Sequence, residues 1–183
     1  VETSIYAAES YYVNIEHNDL ESFRRYGINF HNSANSKVNH NVIEISESPA
    51  NYSNNNPNYG IYNNASNQYA EVRGNEVDLL DGANGYRSGG RGIQVHDSEV
   101  TGNTISISST SNEYRTNAIG IRSDRSVIQE NTIWVDDSYN GGNYRSGTYD
   151  YNFHGRGVGI LSFGSENSRC LLYTSPSPRD ALE

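Results

Sequence analysis

The sequence predicts an all-β protein, a right-handed, single-stranded parallel β-helix of about six coils. Two repeated motifs predict this fold, one centred on an asparagine and one on a Gly-Ile pair, and each recurs about once per coil. Both carry short alternation of apolar and polar residues, as in Ile105-Ser106-Ile107, which is the pattern of a β-strand. Because no stretch with helical periodicity competes with them, we expect strands alone.

The asparagine motif has the form aliphatic-x-x-Asn-x-aliphatic. Its asparagines are separated by 23, 34, 28 and 28 residues (18 to 41, 75, 103 and 131). We interpret each one as a structural residue at a bend between strands, where its amide can bond free backbone groups and the asparagine of the next coil, about 4.8 Å away. The five residues are Asn18, Asn41, Asn75, Asn103 and Asn131.

The Gly-Ile motif alternates with the asparagine motif and predicts a second series of strands. Its members are Gly27-Ile28, Gly60-Ile61, Gly92-Ile93, Gly120-Ile121 and Gly159-Ile160, with Ser4-Ile5 as a sixth. A short strand cannot bury an apolar face alone, but similar strands stacked coil upon coil can share one continuous core. The aliphatic residues of both motifs are therefore the predicted core.

The paired Gly-Ile and x-x-Asn-x-Ile motifs resemble the repeats of the pectate-lyase-like superfamily of parallel β-helices, from about Ser4 to Phe163. That superfamily includes polysaccharide lyases, mannuronan epimerases, phage tailspikes and surface adhesins. The resemblance therefore implies contact with carbohydrate more firmly than it implies any one reaction. This sequence lacks the superfamily's catalytic motifs, including the Asp-Pro-His-Glu motif of the mannuronan epimerases, so no catalytic residue can be transferred by motif.

We expect one domain of β-helix repeats over residues 1–169. Residues 170–183 have no repeat spacing and contain two closely placed prolines, Pro176 and Pro178. We interpret this tail as a sequencing or library artefact, with a disordered natural terminus as the alternative. The chain is then expected to be a fragment of a longer protein.

Composition narrows the class of partner. The chain has 13 Lys and Arg against 22 Asp and Glu, a net charge of -9, so nucleic acid is not an expected partner. No apolar run approaches the roughly 18 residues that span a bilayer, so no membrane insertion is expected. The 15 tyrosines, with abundant Asn, Ser and Gly, are typical of sugar-binding surfaces in exported proteins. We therefore expect a secreted or cell-surface protein whose partner is an acidic polysaccharide.

Register predicts two polar columns on the Gly-Ile strands, because equivalent positions of stacked coils are neighbours. Two residues after each glycine lie Asn29, Tyr62, Gln94 and Arg122, and four residues after it lie His31, Asn64, His96 and Asp124. The candidate catalytic residues are Tyr62, His96, Arg122 and Asp124. Arg122 would neutralise a uronate carboxylate, His96 or Tyr62 would act as base or acid, and Asp124 would orient a partner. The alternative is a solvated polar face without a function.

The long loops before the Gly-Ile strands repeat a Tyr-Arg dipeptide. Its members are Tyr86-Arg87, Tyr114-Arg115 and Tyr144-Arg145, which are the candidate substrate-binding residues. Tyrosine rings stack on sugar faces, and arginine makes bidentate bonds to carboxylates or sulfates. The alternative is that each arginine stacks on its own tyrosine or pairs with an acidic residue of the next coil.

No cofactor is firmly predicted. The loop from Asp136 to His154 is rich in Gly, Tyr and Asn and could hold Ca²⁺ through carboxylates and carbonyls, although its spacing matches no known calcium-loop signature. The 5 histidines have no i, i+4 pairing, so a zinc site is not expected.

Two classes of function stay open at this point. The leading one is an exported carbohydrate-active β-helix that binds or modifies an acidic polysaccharide, through lyase or C5-epimerase chemistry. The alternative is a non-catalytic rod, as in a surface adhesin, a phage tailspike or a structural exoprotein. An enzyme would bring an acid, a base and a carboxylate-neutralising cation together in one groove, whereas a rod need not.

Overall fold

A computed structural model describes residues 3–21, 25–45, 58–63, 69–81, 90–109, 118–137, 158–163 and 169–171. In these ranges the chain is all-β and contains no helix. The described residues therefore include no helix that is long and apolar enough to cross a membrane. The strands in chain order are β1 (Thr3–Tyr6), β2 (Asn14–Glu16), β3 (Asp19–Glu21), β4 (Tyr26–Asn29), β5 (Ser36–Asn39), β6 (Val42–Ile45), β7 (Tyr59–Tyr62), β8 (Ala70–Arg73), β9 (Glu76–Asp81), β10 (Arg91–His96), β11 (Glu99–Thr101), β12 (Thr104–Ser109), β13 (Ile119–Asp124), β14 (Val127–Gln129), β15 (Thr132–Asp137), β16 (Val158–Phe163) and β17 (Arg169–Leu171).

These strands form three parallel sheets. The first, sheet 1, has the order β1-β4-β7-β10-β13-β16 and contains the Gly-Ile motifs. Sheet 2 has the order β17-β14-β11-β8-β5-β2, and sheet 3 has the order β15-β12-β9-β6-β3. Each of the first five coils places one strand in each sheet in turn, and the sixth contributes β16 and β17 to sheets 1 and 2 within the described residues. The chain is therefore a parallel β-helix of about six coils, as the repeats predict.

The core consists of aliphatic ladders that run from coil to coil. In sheet 1, Ile28, Ile61, Ile93 and Ile121 are register partners, and each is fully buried. Sheets 2 and 3 contribute the other two ladders, whose members are Val38, Val72, Val100 and Ile128, and Ile43, Val77, Ile105 and Ile133. The core predicted from the two motifs is confirmed.

In the third, fourth and fifth coils the glycine of the Gly-Ile pair faces the core, as the isoleucine does. A Cβ atom added at Gly92 would fall on the Ile105 side chain and would lie 2.6 Å from the carbonyl oxygen of Gly120. Because the glycine and the isoleucine both point inward, the residue before the pair and the residue after it both lie on the outer face of sheet 1. In the third coil these two residues are Tyr59 and Tyr62, and their ring centroids are 4.5 Å apart.

The five motif asparagines form a continuous hydrogen-bonded column, which we call the asparagine ladder. The Nδ2 atom of each donates to Oδ1 of the next over 2.8–2.9 Å. The residue before each asparagine has a left-handed backbone, with φ between 50° and 63° at His17, His40, Gly74, Gly102 and Glu130. The asparagines therefore lie at a bend, where their amides bond the neighbouring coils, and their predicted structural role is confirmed.

A second corner separates sheet 1 from sheet 2. At this corner a residue with positive φ precedes a serine, and the serine hydroxyl donates to the carbonyl two residues earlier in the chain. The left-handed residues are Glu9, Asn32, Asp97 and Arg125, and the serines that follow them are Ser10, Ser33, Ser98 and Ser126. This corner was not predicted, although Ser98 and Ser126 repeat with the same interval of 28 residues as Asn103 and Asn131.

The last described strand crosses the predicted end of the repeats. β17 pairs with β14, and Cys170 takes the register position next to Ile128 in the sheet 2 ladder. Residues 172–183, the rest of the predicted tail, lie outside the described residues. The proposed origin of the tail as an artefact is untested.

Candidate functional site

The outer face of sheet 1 carries the predicted polar columns. Tyr62 is the register partner of Asn29 on one side and of Gln94 on the other, and Gln94 is in turn the partner of Arg122. His96 and Asp124 are partners at the ends of β10 and β13. The first column therefore exists as predicted. The second is described only as the pair of His96 and Asp124, because His31 follows the end of β4 and Asn64 lies outside the described residues.

Three of the four candidate catalytic residues line one pocket. His96, Arg122 and Asp124 surround a cavity of roughly 210 Å³, together with Val95 and Ser123. The Nδ1 atom of His96 is buried and lies 3.6 Å from Oδ2 of Asp124, slightly beyond hydrogen-bonding distance. The two side chains are 26% and 28% exposed, so each has one buried side and one side that solvent can reach.

An ion pair follows directly after these two residues in the chain. Arg125 donates from Nε to Oδ1 of Asp97 and from Nη2 to Oδ2, both over 2.7 Å. These hydrogen bonds and the Asp97 charge raise the pKa of Arg125, and the charge of Asp124 acts in the same direction. The corner beside the pocket therefore carries four charged or ionisable groups within two adjacent coils.

Tyrosine rings cover the neighbouring part of the same face. Tyr26 and Tyr59 stack with centroids 5.2 Å apart and planes 12° from parallel, and Tyr62 packs against both at 5.2 and 4.5 Å. We call Tyr26, Tyr59 and Tyr62 the tyrosine cluster. Tyr59 is only 7% exposed, and this burial raises the pKa of its phenol. Ring packing of this kind leaves Tyr26 and Tyr62 as the cluster members that a ligand can reach.

Two arginines flank the tyrosine cluster. The guanidinium carbon of Arg25 lies 5.0 Å from the Tyr26 ring centroid, and that of Arg91 lies 5.4 Å from the Tyr59 centroid. The Nη1 atom of Arg91 also donates to the Tyr59 hydroxyl over 3.1 Å and to Oε1 of Gln94 over 2.6 Å. Burial lowers the pKa of Arg91. Arg91 is thus held by neighbouring side chains, and Arg122 is the arginine that lines the pocket.

The position of Tyr62 differs from that of the other candidates. It is one coil away from His96 and two coils away from Arg122 and Asp124, and its ring belongs to the tyrosine cluster. Gln94 lies between Tyr62 and Arg122 in the register. The structure therefore brings His96, Arg122 and Asp124 together in one pocket. Tyr62 lies on the same face of sheet 1 but does not line this pocket.

Two features of this face were not predicted from the sequence. One is the column of outward-facing residues that directly precede the Gly-Ile pairs, and the other is the ion pair between Asp97 and Arg125. Tyr26, Tyr59 and Arg91 belong to that column and are register partners. Strict alternation would place these residues on the core side, since they are two residues from the buried isoleucines. The signal that could have found them is the glycine itself, because a residue without a side chain in a strand often marks a local kink.

Other predicted residues fall where the structure gives no description. Most of the candidate Ca²⁺ loop lies outside the described residues. So do the candidate substrate-binding residues, which are Tyr86, Arg87, Tyr114, Arg115, Tyr144 and Arg145. Within the described ranges, no group of three or more His, Cys, Asp or Glu side chains could hold a metal ion.

A row of exposed carboxylates lies on a different sheet. The exposed side chains along sheet 3 include five carboxylates that occupy neighbouring coils, namely Asp19, Glu21, Glu44, Glu76 and Asp78. The outer face of sheet 1 instead carries Arg25, Arg91 and Arg122. The face with the pocket is therefore the one that an anionic ligand would approach at the smaller electrostatic cost.

Comparisons with family models, with curated proteins and with solved structures gave no match for this chain. The parallel β-helix is thus established by the strand pairing within this chain, and membership of the pectate-lyase-like superfamily stays a resemblance carried by its repeats.

Proposed function

We propose that this β-helix binds an acidic polysaccharide on the outer face of sheet 1 and removes a proton from a uronate unit in the pocket of His96, Arg122 and Asp124. The observation that carries the proposal is the convergence of these three side chains in one cavity. The tyrosine cluster on the same face supports it, since aromatic rings provide flat apolar surface for sugar units.

Each pocket residue has a chemical role in this proposal. The Arg122 guanidinium pairs with the uronate carboxylate and stabilises the negative charge that develops on it when the C5 proton leaves. His96 is the base that takes this proton, and Asp124 orients the His96 ring. In a lyase reaction the C4–O bond then breaks, and the leaving oxygen takes a proton from water. In an epimerisation water instead returns a proton to the opposite face of C5.

A non-catalytic rod is the second candidate, and one observation favours it. Arg91 is bonded to Tyr59 and Gln94, and the tyrosine rings pack against each other, so part of this face is satisfied within the protein itself. In that case the surface would bind carbohydrate or stabilise the coils without turnover. We place either form in a secreted or cell-surface protein.

Calorimetric titration with polygalacturonate and alginate, with neutral dextran as the reference, tests the binding proposal. We expect the polyuronates to bind and their affinity to fall with added salt, because the attraction is between charges. Arg122→Gln should weaken binding roughly tenfold, as expected for the loss of a charge-assisted hydrogen bond.

Lys37→Gln is the matched control, because it removes the same charge from sheet 2, where Lys37 pairs with Glu71 at 3.5 Å. Its effect should be at most about twofold, the size of a solvent-exposed charge change. Equal binding of dextran and polyuronates, or equal losses in the two variants, would contradict the proposal.

A further inference from the structure

We infer that Asp97 and Arg125 are positioning residues for the pocket, and that their ion pair fixes the separation across which Asp124 orients the His96 ring. Only the effect of the ion pair on turnover rests on the proposed function. The orientation of the ring is a property of the free protein and can be measured without any ligand.

The ion pair lies directly after the pocket residues in the register of the coils. His96 and Asp124 are the last partners of β10 and β13, and Asp97 and Arg125 are the next residue in each coil. Their backbones are both left-handed, with φ of 48° and 49°. Asp97 N also donates to the carbonyl of Asp124 over 2.8 Å. A bond between these two side chains therefore acts one residue away from the pocket.

The bond between Arg125 and Asp97 is bidentate. Arg125 binds both oxygens of the Asp97 carboxylate, at 2.7 Å each. Because a planar guanidinium and a planar carboxylate joined by two parallel bonds fix orientation as well as distance, this contact restrains how the two coils slide or tilt. A single point-charge contact would not give the same restraint.

The corner serines extend this restraint to the backbones of the pocket residues. The hydroxyl of Ser98 donates to the carbonyl of His96, and that of Ser126 donates to the carbonyl of Asp124. Ser98 N donates in turn to Oγ of Ser126 over 3.1 Å. The equivalent left-handed position holds Glu9 and Asn32 at two earlier corners, so the serines are shared among these corners, and the opposite charges belong to the corner beside the pocket.

The restraint affects which nitrogen of the neutral His96 ring carries the proton. A neutral imidazole carries one N–H, and its position depends on the acceptor nearest to each nitrogen. Nδ1 of His96 is buried, and the nearby acceptor is Oδ2 of Asp124 at 3.6 Å. Asp124 therefore favours the proton on Nδ1 and leaves the lone pair of Nε2 for a proton of the ligand. A shift of about 1 Å between the coils would weaken this preference, because the attraction between the Asp124 charge and a proton on Nδ1 falls with distance.

Nitrogen NMR shifts of the His96 ring test the inference, measured at mildly alkaline pH, where histidine rings are ordinarily neutral. The signal is assigned by its loss in His96→Gln. We expect the Nδ1-protonated form to predominate in the unaltered chain and in Lys37→Gln. The ratio of the two tautomers should fall roughly tenfold in Asp97→Asn and in Asp124→Asn, since a charge-assisted contact is lost in each.

Arg125→Lys separates geometry from charge, because it keeps the positive charge and a folded corner but loses the bidentate bond. We expect its tautomer ratio to fall as well. An unchanged ratio in Arg125→Lys or in folded Asp97→Asn would overturn the inference. If the ratio falls but the unaltered chain binds no polyuronate, the proposed function fails and the positioning role stands.

Discussion

Asn75 donates from Nδ2 to Oδ1 of Asn103 over 2.9 Å, and its backbone N–H donates to the same oxygen over 2.9 Å. Asn103 in turn donates to the carbonyl of Val72 and to Oδ1 of Asn131. All of these groups are buried, so each bond lies where water cannot replace it. One side chain thus joins three coils at the bend between sheets 2 and 3.

Asn103→Ala should therefore destabilise the chain by about 3 kcal/mol or more, because it leaves buried donors and acceptors without partners. Denaturant unfolding followed by circular dichroism measures this change. Asn14→Ala, at an exposed position of β2, is the control and should change stability by no more than about 0.5 kcal/mol. Similar unfolding midpoints for the two variants would show that the ladder does not stabilise the fold.

Two glycines should differ in their tolerance of alanine. A Cβ atom at Gly92 would fall on the Ile105 side chain and lie 2.6 Å from a carbonyl oxygen, so Gly92→Ala should cost about 1–3 kcal/mol through overpacking. Gly102 has a φ of 63° and open space around it, so Gly102→Ala should cost about 1 kcal/mol through its backbone alone. Thermal unfolding of both variants gives the order, and a larger loss at Gly102 would contradict the close packing of the Gly-Ile strands.

The architecture could be predicted because a solenoid repeats its physical constraints in every coil. Ile28, Ile61, Ile93 and Ile121 share one environment, so their spacing in the sequence reports their stacking in space. The repeat also gave the correct neighbours His96 and Asp124. The repeat does not predict the side of the sheet on which Tyr59 lies, because Gly60 and Ile61 both face the core and so break the alternation of the strand.

The side-chain pairing at the corner could not be predicted for a different reason. Asp97 and Arg125 are 28 residues apart and belong to no repeated residue type, since the equivalent positions hold Glu9 and Asn32. A repeat predicts backbone positions, whereas individual ion pairs depend on which side chains meet there. The same limit applies to the pocket of His96, Arg122 and Asp124, since the repeat predicts only that their backbones are neighbours.

Stability should fall at alkaline pH because of Tyr59. Burial raises the pKa of Tyr59 above the ordinary value of 10.0, so the folded chain holds this proton more tightly than the unfolded chain. The resulting stabilisation is fully present below pH 10.0 and is lost as the pH rises through the raised pKa. Burial followed by the nearby Glu99 raises the pKa of Tyr69, which acts in the same direction.

Tyr59→Phe should make this alkaline loss smaller, although it also lowers stability at neutral pH by removing the bond from Arg91. Unfolding free energies measured at neutral pH and at about pH 11 give the difference for each variant. Tyr11→Phe is the control, because the Tyr11 ring is 77% exposed. An equal alkaline loss in Tyr59→Phe and in the unaltered chain would rule out Tyr59 as its source.

Proton exchange distinguishes an enzyme from a binding rod. Both lyase and epimerase reactions begin with removal of the C5 proton, so a catalytic chain in heavy water should replace this hydrogen of a polyuronate by deuterium or form an unsaturated product. His96→Gln should slow this reaction on the order of 100-fold, as expected for loss of a general base. Proton NMR of the polysaccharide follows it, with Lys37→Gln as the control. Binding without any exchange would favour the rod.

An acidic polysaccharide is expected to bind the outer face of sheet 1. Titration of the isotopically labelled chain with polygalacturonate or alginate oligomers, followed through the backbone amide shifts, shows where on the chain the ligand binds. We predict that the largest shifts occur at His96, Arg122 and Asp124 and in β10 and β13, with little change in sheet 3. Shifts centred on sheet 3, or no shifts at any oligomer concentration that binds a known polyuronate-binding protein, would contradict the account.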